Sequence, residues 1–429
     1  MRRAIACGAS HDSNERYPPP RCHPETRTAV LDTIFEWVGD TGRHSSVLWL
    51  YGPAGAGKSA IAQTVAESCA TDGRLGASFF FSRGKLGRNT GKPLFPTIAY
   101  QLAISVRETR MPISKAVEDD PSISDKSIEV QLQKLILEPY RWIMRGEPAS
   151  MVVIIDGLDE CTDNGVQQYI ISLIGTALTA HRLPLRFLIA SRPEPHIRDA
   201  FNHLVFQPIT RRLALDESFW PGRDIHIFLR SGFADIHTKH RDTMASVLQP
   251  WPSHQIIDFL VQKSSGQFIY ASTVLKFIDD EFSRPTDRLN IVLGLSGPNS
   301  GAFADLDQLY LQILSTNPNT SSLLRILGAL LILNEPPSSE LIETLLFLER
   351  GDVGLTFRGL HSILDIPDPV TDPSLPIRVL HASLSDFLVD YTRSGKFFVD
   401  ARTHHADLAR CCLRIMTNWA KHRYTNGSM

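Results

Sequence analysis

Val47-Leu-Trp-Leu-Tyr51 runs directly into Gly52-Pro-Ala-Gly-Ala-Gly57-Lys58-Ser59, and from Lys58 to about Ala70 apolar residues resume at helical spacing. The loop matches the pattern G-x-x-x-x-G-K-[ST] at every position. Glycines let backbone N–H groups curl around an anion with no Cβ in the way. The helix that follows offers unsatisfied N–H groups and a positive dipole end to the same anion. Lys58 is then placed to reach the β- and γ-phosphates, and the Ser59 hydroxyl to ligate Mg²⁺. The residues expected to contact nucleotide are Gly52, Pro53, Ala54, Gly55, Ala56, Gly57, Lys58, Ser59 and Ala60, with ATP or ADP and Mg²⁺ as the bound species.

Two downstream stretches complete the pattern. Val152-Val-Ile-Ile-Asp156-Gly-Leu-Asp159-Glu160 is an apolar strand that ends in a carboxylate. Such a residue sits at the carboxyl edge of a parallel sheet, where ligands of α/β proteins bind. Asp156 is the expected metal-side carboxylate beside Ser59. Asp159 and Glu160 follow on the turn, and either is placed to orient the attacking water. In Leu188-Ile-Ala-Ser191-Arg192-Pro193, Ser191 and Arg192 come at the end of another apolar strand, and Arg192 adds a forked cation suited to a phosphate.

Short apolar strands at 47–51, 77–82, 151–155 and 186–190, with a weaker one at 204–208, alternate with helical patterns at 26–38, 58–70, 94–107, 128–137 and 165–180. This alternation predicts a parallel sheet covered on both faces. Beyond it the pattern is helical, near 223–235, 254–263, 268–282, 303–315, 321–333 and 338–348. Breaks are expected at Pro285, Gly297–Pro298 and Pro336–Pro337, followed by a small mixed region over 376–400 and a last helix from about 403. The expected domains are a polar lead segment and helix (1–45), a nucleotide-binding domain (46–212), a helical domain (213–300), a third region holding the later helices and the small mixed stretch (301–400) and a C-terminal helix (401–429).

The 429 residues are 43% hydrophobic and 21% charged, and 44 basic against 46 acidic side chains leave a net charge of −2. A nearly neutral chain has no global field to draw it onto nucleic acid or an anionic membrane, and 376–429 carries no dense Lys/Arg stripe. The six cysteines show no zinc-type spacing, which fits free thiols in a reducing, cytoplasmic setting. No apolar run reaches the length of a membrane span.

The three site elements, in this order, resemble the NACHT family of STAND-type P-loop NTPases, relatives of AAA+ proteins. The flanks resemble the fungal, nephrocystin-3-like branch. They include Cys22, Thr26 and Arg27 before the phosphate loop, and Asp224-Ile225 opening a helix. Further on come Ser265-Gly-Gln-Phe-Ile-Tyr-Ala-Ser272 and His381-Ala-Ser-Leu-Ser-Asp386-Phe-Leu388.

The resemblance implies an ATPase sheet of five parallel strands followed by a helical lid domain (213–300) and a winged-helix region (301–400). It implies an NLR-like switch, a closed monomer with ADP and an assembled form with ATP, hydrolysing slowly and serving defence or incompatibility signalling in a fungus. His381 matches a winged-helix histidine that meets the β-phosphate of ADP. Many relatives carry a proline in the lid helix that touches the adenine, where this chain has Gln267-Phe268-Ile269, so contacts to the base stay unassigned. Relatives also add an N-terminal effector and C-terminal repeats. Their absence here leaves a truncated product, a fragment, or a switch acting through effector or sensor proteins in trans. A nucleotide-dependent scaffold with little hydrolysis is the alternative reading, and a small-molecule kinase a weaker one.

Overall fold

The computed structural model describes residues 4–40, 45–143, 150–181, 183–294, 303–367 and 374–426. They form two compact units, Met1–Asp224 and Ile225–Met429.

The first unit is α/β. Its five strands are β1 (Val47–Tyr51), β2 (Leu75–Phe80), β3 (Met151–Asp156), β4 (Leu185–Ser191) and β5 (Thr210–Ala214). They pair in parallel in the order β2-β3-β4-β1-β5. The helices are α1 (Thr28–Gly39), α2 (Lys58–Thr71), α3 (Leu94–Ser105), α4 (Arg107–Asp119), α5 (Ile128–Leu132), α6 (Glu138–Ile143), α7 (Asn164–His181), α8 (Pro195–Asn202) and α9 (Pro221–Lys239), the last crossing into the second unit.

Alternate residues of the central strands enter two separate cores. Leu48, Leu50, Val152, Ile154, Leu188 and Ala190 pack with α1 and α2. Trp49, Val153, Ile155, Phe187 and Ile189 pack with α3, α7 and α8. Both faces are covered, which explains why these strands read as unbroken apolar runs rather than alternating ones. Because β1 lies between β4 and β5 while the chain returns through β3 and β4 on one side, the ends of β1, β4 and β3 are neighbours. Three sequence-distant loops therefore meet at one edge.

Several expectations are corrected. The strand expected at 77–82 is Leu75–Phe80, and within it Gly76 fits closely against Leu102 and Met151. The strand expected at 204–208 is a turn that drops Phe206 into the core, and the fifth strand is Thr210–Ala214. α4 was not expected. The helix before Pro285 ends at Ile278, so the chain does break there, and Pro285 is the first residue of a further helix, Pro285–Gly294. Proline suits that position because its missing N–H would have no partner there. Gly297–Pro298 lies outside the described residues.

The polar segment expected to be only a lead is packed into the first unit. Ala6 N–H donates to Thr97 Oγ1 (2.9 Å), His11 N–H to Ser78 Oγ (2.9 Å) and Cys22 N–H to Thr64 Oγ1 (3.0 Å).

The second unit is mainly helical. One apolar core runs through it, with Phe233, Val274, Tyr310, Ile326, Phe357 and Phe387 among its members, and it includes residues on both sides of the domain boundary expected at 300. Its only strands among the described residues are Leu364–Asp365 and Arg378–Val379, paired antiparallel. The segment Ala382–Leu388 is helical, and a helix spans Ala401–Asn426. No described helix is long and apolar enough to cross a membrane.

Candidate functional site

The phosphate loop joins β1 to α2, and its glycines do specific work. Gly55 (φ +75°) and Gly57 (φ +91°) hold left-handed backbone, and Gly57 caps α2. That conformation disfavours any residue with a Cβ. The first turn of α2 has N–H groups with no intrahelical acceptor, as at every helix start. Lys58 Nζ donates to the carbonyls of Gly52 (2.9 Å) and Pro53 (2.8 Å), closing the loop on itself. Burial holds the Lys58 amine below its ordinary range, against the opposing pull of Asp159 and Asp156.

Asp156 ends β3 on the α2 face of the sheet and is buried. The Ser59 hydroxyl hydrogen-bonds this carboxylate, while its Oδ1 has no hydrogen-bond partner among the described residues. Burial pushes the carboxyl up, and Ser59, Arg16 and Lys58 oppose that shift. An unpartnered buried carboxylate oxygen is costly. A cation would satisfy it.

Asp159 and Glu160 share a turn but not an environment. Asp159 takes Arg192 N–H on Oδ1 (2.9 Å) and faces Arg192 Nε with Oδ2 (3.2 Å). Glu160 accepts Arg83 N–H on Oε2 (3.1 Å). Burial, then the neighbouring Asp159, pushes the Glu160 carboxyl up to about 7.

The structure thus gathers Gly52–Ala60, Asp156, Asp159, Glu160 and Arg192 at the ends of β1, β3 and β4. Ser191 is turned away from them. Its side chain lies on the sheet face opposite α2, where its hydroxyl accepts from Trp49 Nε1 (2.9 Å). His381 belongs to the second unit and caps Ala382–Leu388, its Nδ1 accepting Ser383 N–H (3.1 Å).

Residues 26–192 match the family model of the nephrocystin 3 N-terminal region. This nephrocystin-3-like stretch contains the phosphate loop, Asp156, Asp159 and Glu160, and it ends on Arg192. Among solved structures, the chain is similar to one in the structure of Drosophila ORC bound to DNA. The identity is 12% and the TM-score 0.41, over 85% of this chain and 96% of that one. Sequence comparison with curated proteins gives no match.

Three arginines outside the expected site also reach it. Arg16 stacks over the Phe80 ring (3.4 Å), donates to Gln63 Oε1 (2.6 Å) and is electrostatically coupled to Asp156. Arg83 Nη2 donates to the Asp159 carbonyl (3.4 Å). Arg27, matched above only as a flanking motif, donates from Nη2 to the Ala56 carbonyl of the phosphate loop (2.7 Å). Nothing in the polar run around Arg16 marks it, because its partners come from α2 and β2.

Proposed function

We propose that the chain is a nucleotide-dependent switch that binds ATP or ADP with Mg²⁺ at the phosphate loop and turns ATP over slowly. Asp156 carries the reading. A buried carboxylate that takes the Ser59 hydroxyl and leaves Oδ1 unpartnered fits Mg²⁺, which is typically held by one or two carboxylates plus substrate phosphates. The described residues contain no cluster of three or more His, Cys, Asp or Glu suited to an all-protein metal cage. Bound Mg²⁺ would neutralise charge on the β- and γ-phosphates.

The chain's own residues supply the rest. The loop N–H groups and Lys58 hold phosphate oxygens. Glu160 takes a proton from water, and Asp159 fixes Arg192 toward the site.

The finer assignment is NACHT and STAND-type, with the second unit as helical lid and winged helix. It is supported by the resemblance, by the succession of helices after Pro221, and by the short antiparallel pair preceding Ala382–Leu388. On this reading ADP favours a closed monomer through His381, and ATP favours self-assembly. The output is NLR-like defence or incompatibility signalling in a fungal cytoplasm, through effector or sensor partners. A scaffold with little hydrolysis is the second reading. The engagement of Asp159 by Arg192 favours it, since one of the two acidic candidates is already held.

Lys58→Ala tests the nucleotide site. Losing a charge-assisted bond worth ~1.5–3 kcal/mol should weaken binding of a fluorescent ATP analogue about ten- to a hundredfold. Unchanged affinity in the folded variant would remove the site.

A further inference from the structure

Arg27 and Asp224 lie 197 positions apart in the chain and meet beside the phosphate loop. Arg27 opens α1 with a left-handed backbone (φ +57°), unusual for a residue with a long side chain. Its N–H donates to Asp224 Oδ2 (2.9 Å), and its Nη2 donates to the Ala56 carbonyl (2.7 Å). Both side chains are buried. Ala56 immediately precedes Gly57, the residue that turns the loop into α2. A backbone held in a sparsely populated region persists only where its surroundings over-determine it. Here the Asp224 carboxylate and the Ala56 carbonyl do so from opposite ends of one residue.

Asp224 has a second position of interest. It is the last residue of the first unit and lies in the first turn of α9, whose later turns belong to the second unit. Ala56 is thus joined through Arg27 to the start of the helix that leads out of the nucleotide-binding unit.

We propose that Arg27 is a positioning residue of the phosphate loop and that the Arg27–Asp224 pair couples the loop to α9. Resting on the nucleotide reading above, the inference gives that site a route to the rest of the chain. The guanidinium draws the Ala56 carbonyl outward, which leaves the N–H groups of the loop aimed inward at phosphate. Asp224 fixes the backbone from which that guanidinium projects. When the loop tightens on phosphate, Arg27 and the first turn of α9 are ordered with it.

The test uses the full chain with a fluorescent ATP analogue and Mg²⁺ in stopped flow, comparing wild type, Lys58→Ala, Arg27→Met, Asp224→Ala and the Arg27→Met/Asp224→Ala double variant. Arg27→Met should raise the dissociation rate about tenfold, as expected for loss of a charged donor to a buried carbonyl. Asp224→Ala should raise it less. The double variant should match Arg27→Met alone, because residues acting in series are not additive.

Amide exchange supplies a readout that mere stabilisation would not move. Nucleotide should slow exchange in the first turns of α9 in wild type, and Arg27→Met should abolish that slowing. Should Arg27→Met be insoluble, Arg27→Lys carries the test, with a rise of about threefold expected from a less rigid donor. Wild-type dissociation from the folded Arg27 variant, while Lys58→Ala weakens binding, overturns the proposal and leaves the nucleotide site standing. So does an α9 that does not respond to nucleotide in wild type. If Lys58→Ala changes nothing, the nucleotide reading fails first.

Discussion

Glu160 and Asp159 are consecutive carboxylates with different work to do. Both oxygens of Asp159 face Arg192, so this side chain positions a cation. Glu160 accepts one backbone N–H and is pushed up to about 7, so near neutrality it is divided between acid and base forms. A residue that takes a proton from water must be ionised, and a catalytic pKa near the working pH is favourable for that task. Single-turnover hydrolysis should therefore rise with pH through about 7 and level off above it. Glu160→Gln should keep ATP bound, slow hydrolysis about 10²- to 10⁴-fold and flatten the profile.

Stability should move the other way. The folded-state value lies above the ordinary 4.5, so folding favours the protonated form, and that contribution is lost as pH rises from about 4.5 to about 7. Thermal melts of wild type against Glu160→Gln over that window check the sign. A pH–rate profile in Glu160→Gln with the wild-type shape would take Glu160 out of the chemistry.

Elements buried on both faces were legible in the sequence. β1, β3 and β4 are apolar runs bounded by Gly, Asp or Ser, and their ends carry the phosphate loop, Asp156 and Arg192. β5 escaped because it is an edge strand paired only with β1, and its Thr-Arg-Arg carries no apolar run. Arg212 Nη2 instead donates to the Phe201 carbonyl (2.7 Å) and to Asn202 Oδ1 (2.8 Å). The apolar residues just before it look like a strand in the sequence, but Phe206 serves to pin the turn against α7. Arg16 and Arg27 were illegible as site residues for a related reason, since tertiary contacts alone give them their partners.

The Phe206 contact is a tight one. A Cβ on Gly175 of α7 would fall 2.3 Å from Phe206 Cζ. Alanine gains ~1 kcal/mol over glycine in a helix interior, whereas overpacking a filled core costs ~1–3 kcal/mol. Packing should win. Gly175→Ala should lower the melting temperature, and Phe206→Leu in the same chain should recover part of the loss. A higher melting temperature for Gly175→Ala would show that the ring yields and helix propensity decides.

At the scale of the whole molecule, a switch needs differential affinity and not merely binding. Moving it from 1:99 to 99:1 takes about 5.5 kcal/mol, and a hydrogen bond to a charged group supplies ~1.5–3 kcal/mol. His381 alone falls short of that. Its local geometry still suits a donor. Because Nδ1 accepts Ser383 N–H, the proton of the neutral ring sits on Nε2, and Ser383 is itself held by Tyr310 OH (2.8 Å). If His381 donates to ADP in the closed state, His381→Ala should leak without locking open. ADP release should quicken about ten- to a hundredfold, and the assembled fraction at fixed ATP should rise without reaching completion. Adding Lys58→Ala should cancel that rise, because ATP could no longer favour the open form. Release kinetics with light scattering after size exclusion measure both arms. An unchanged release rate in folded His381→Ala would return the histidine to a purely structural cap, while Lys58 and Asp156 would keep their places at the phosphate loop.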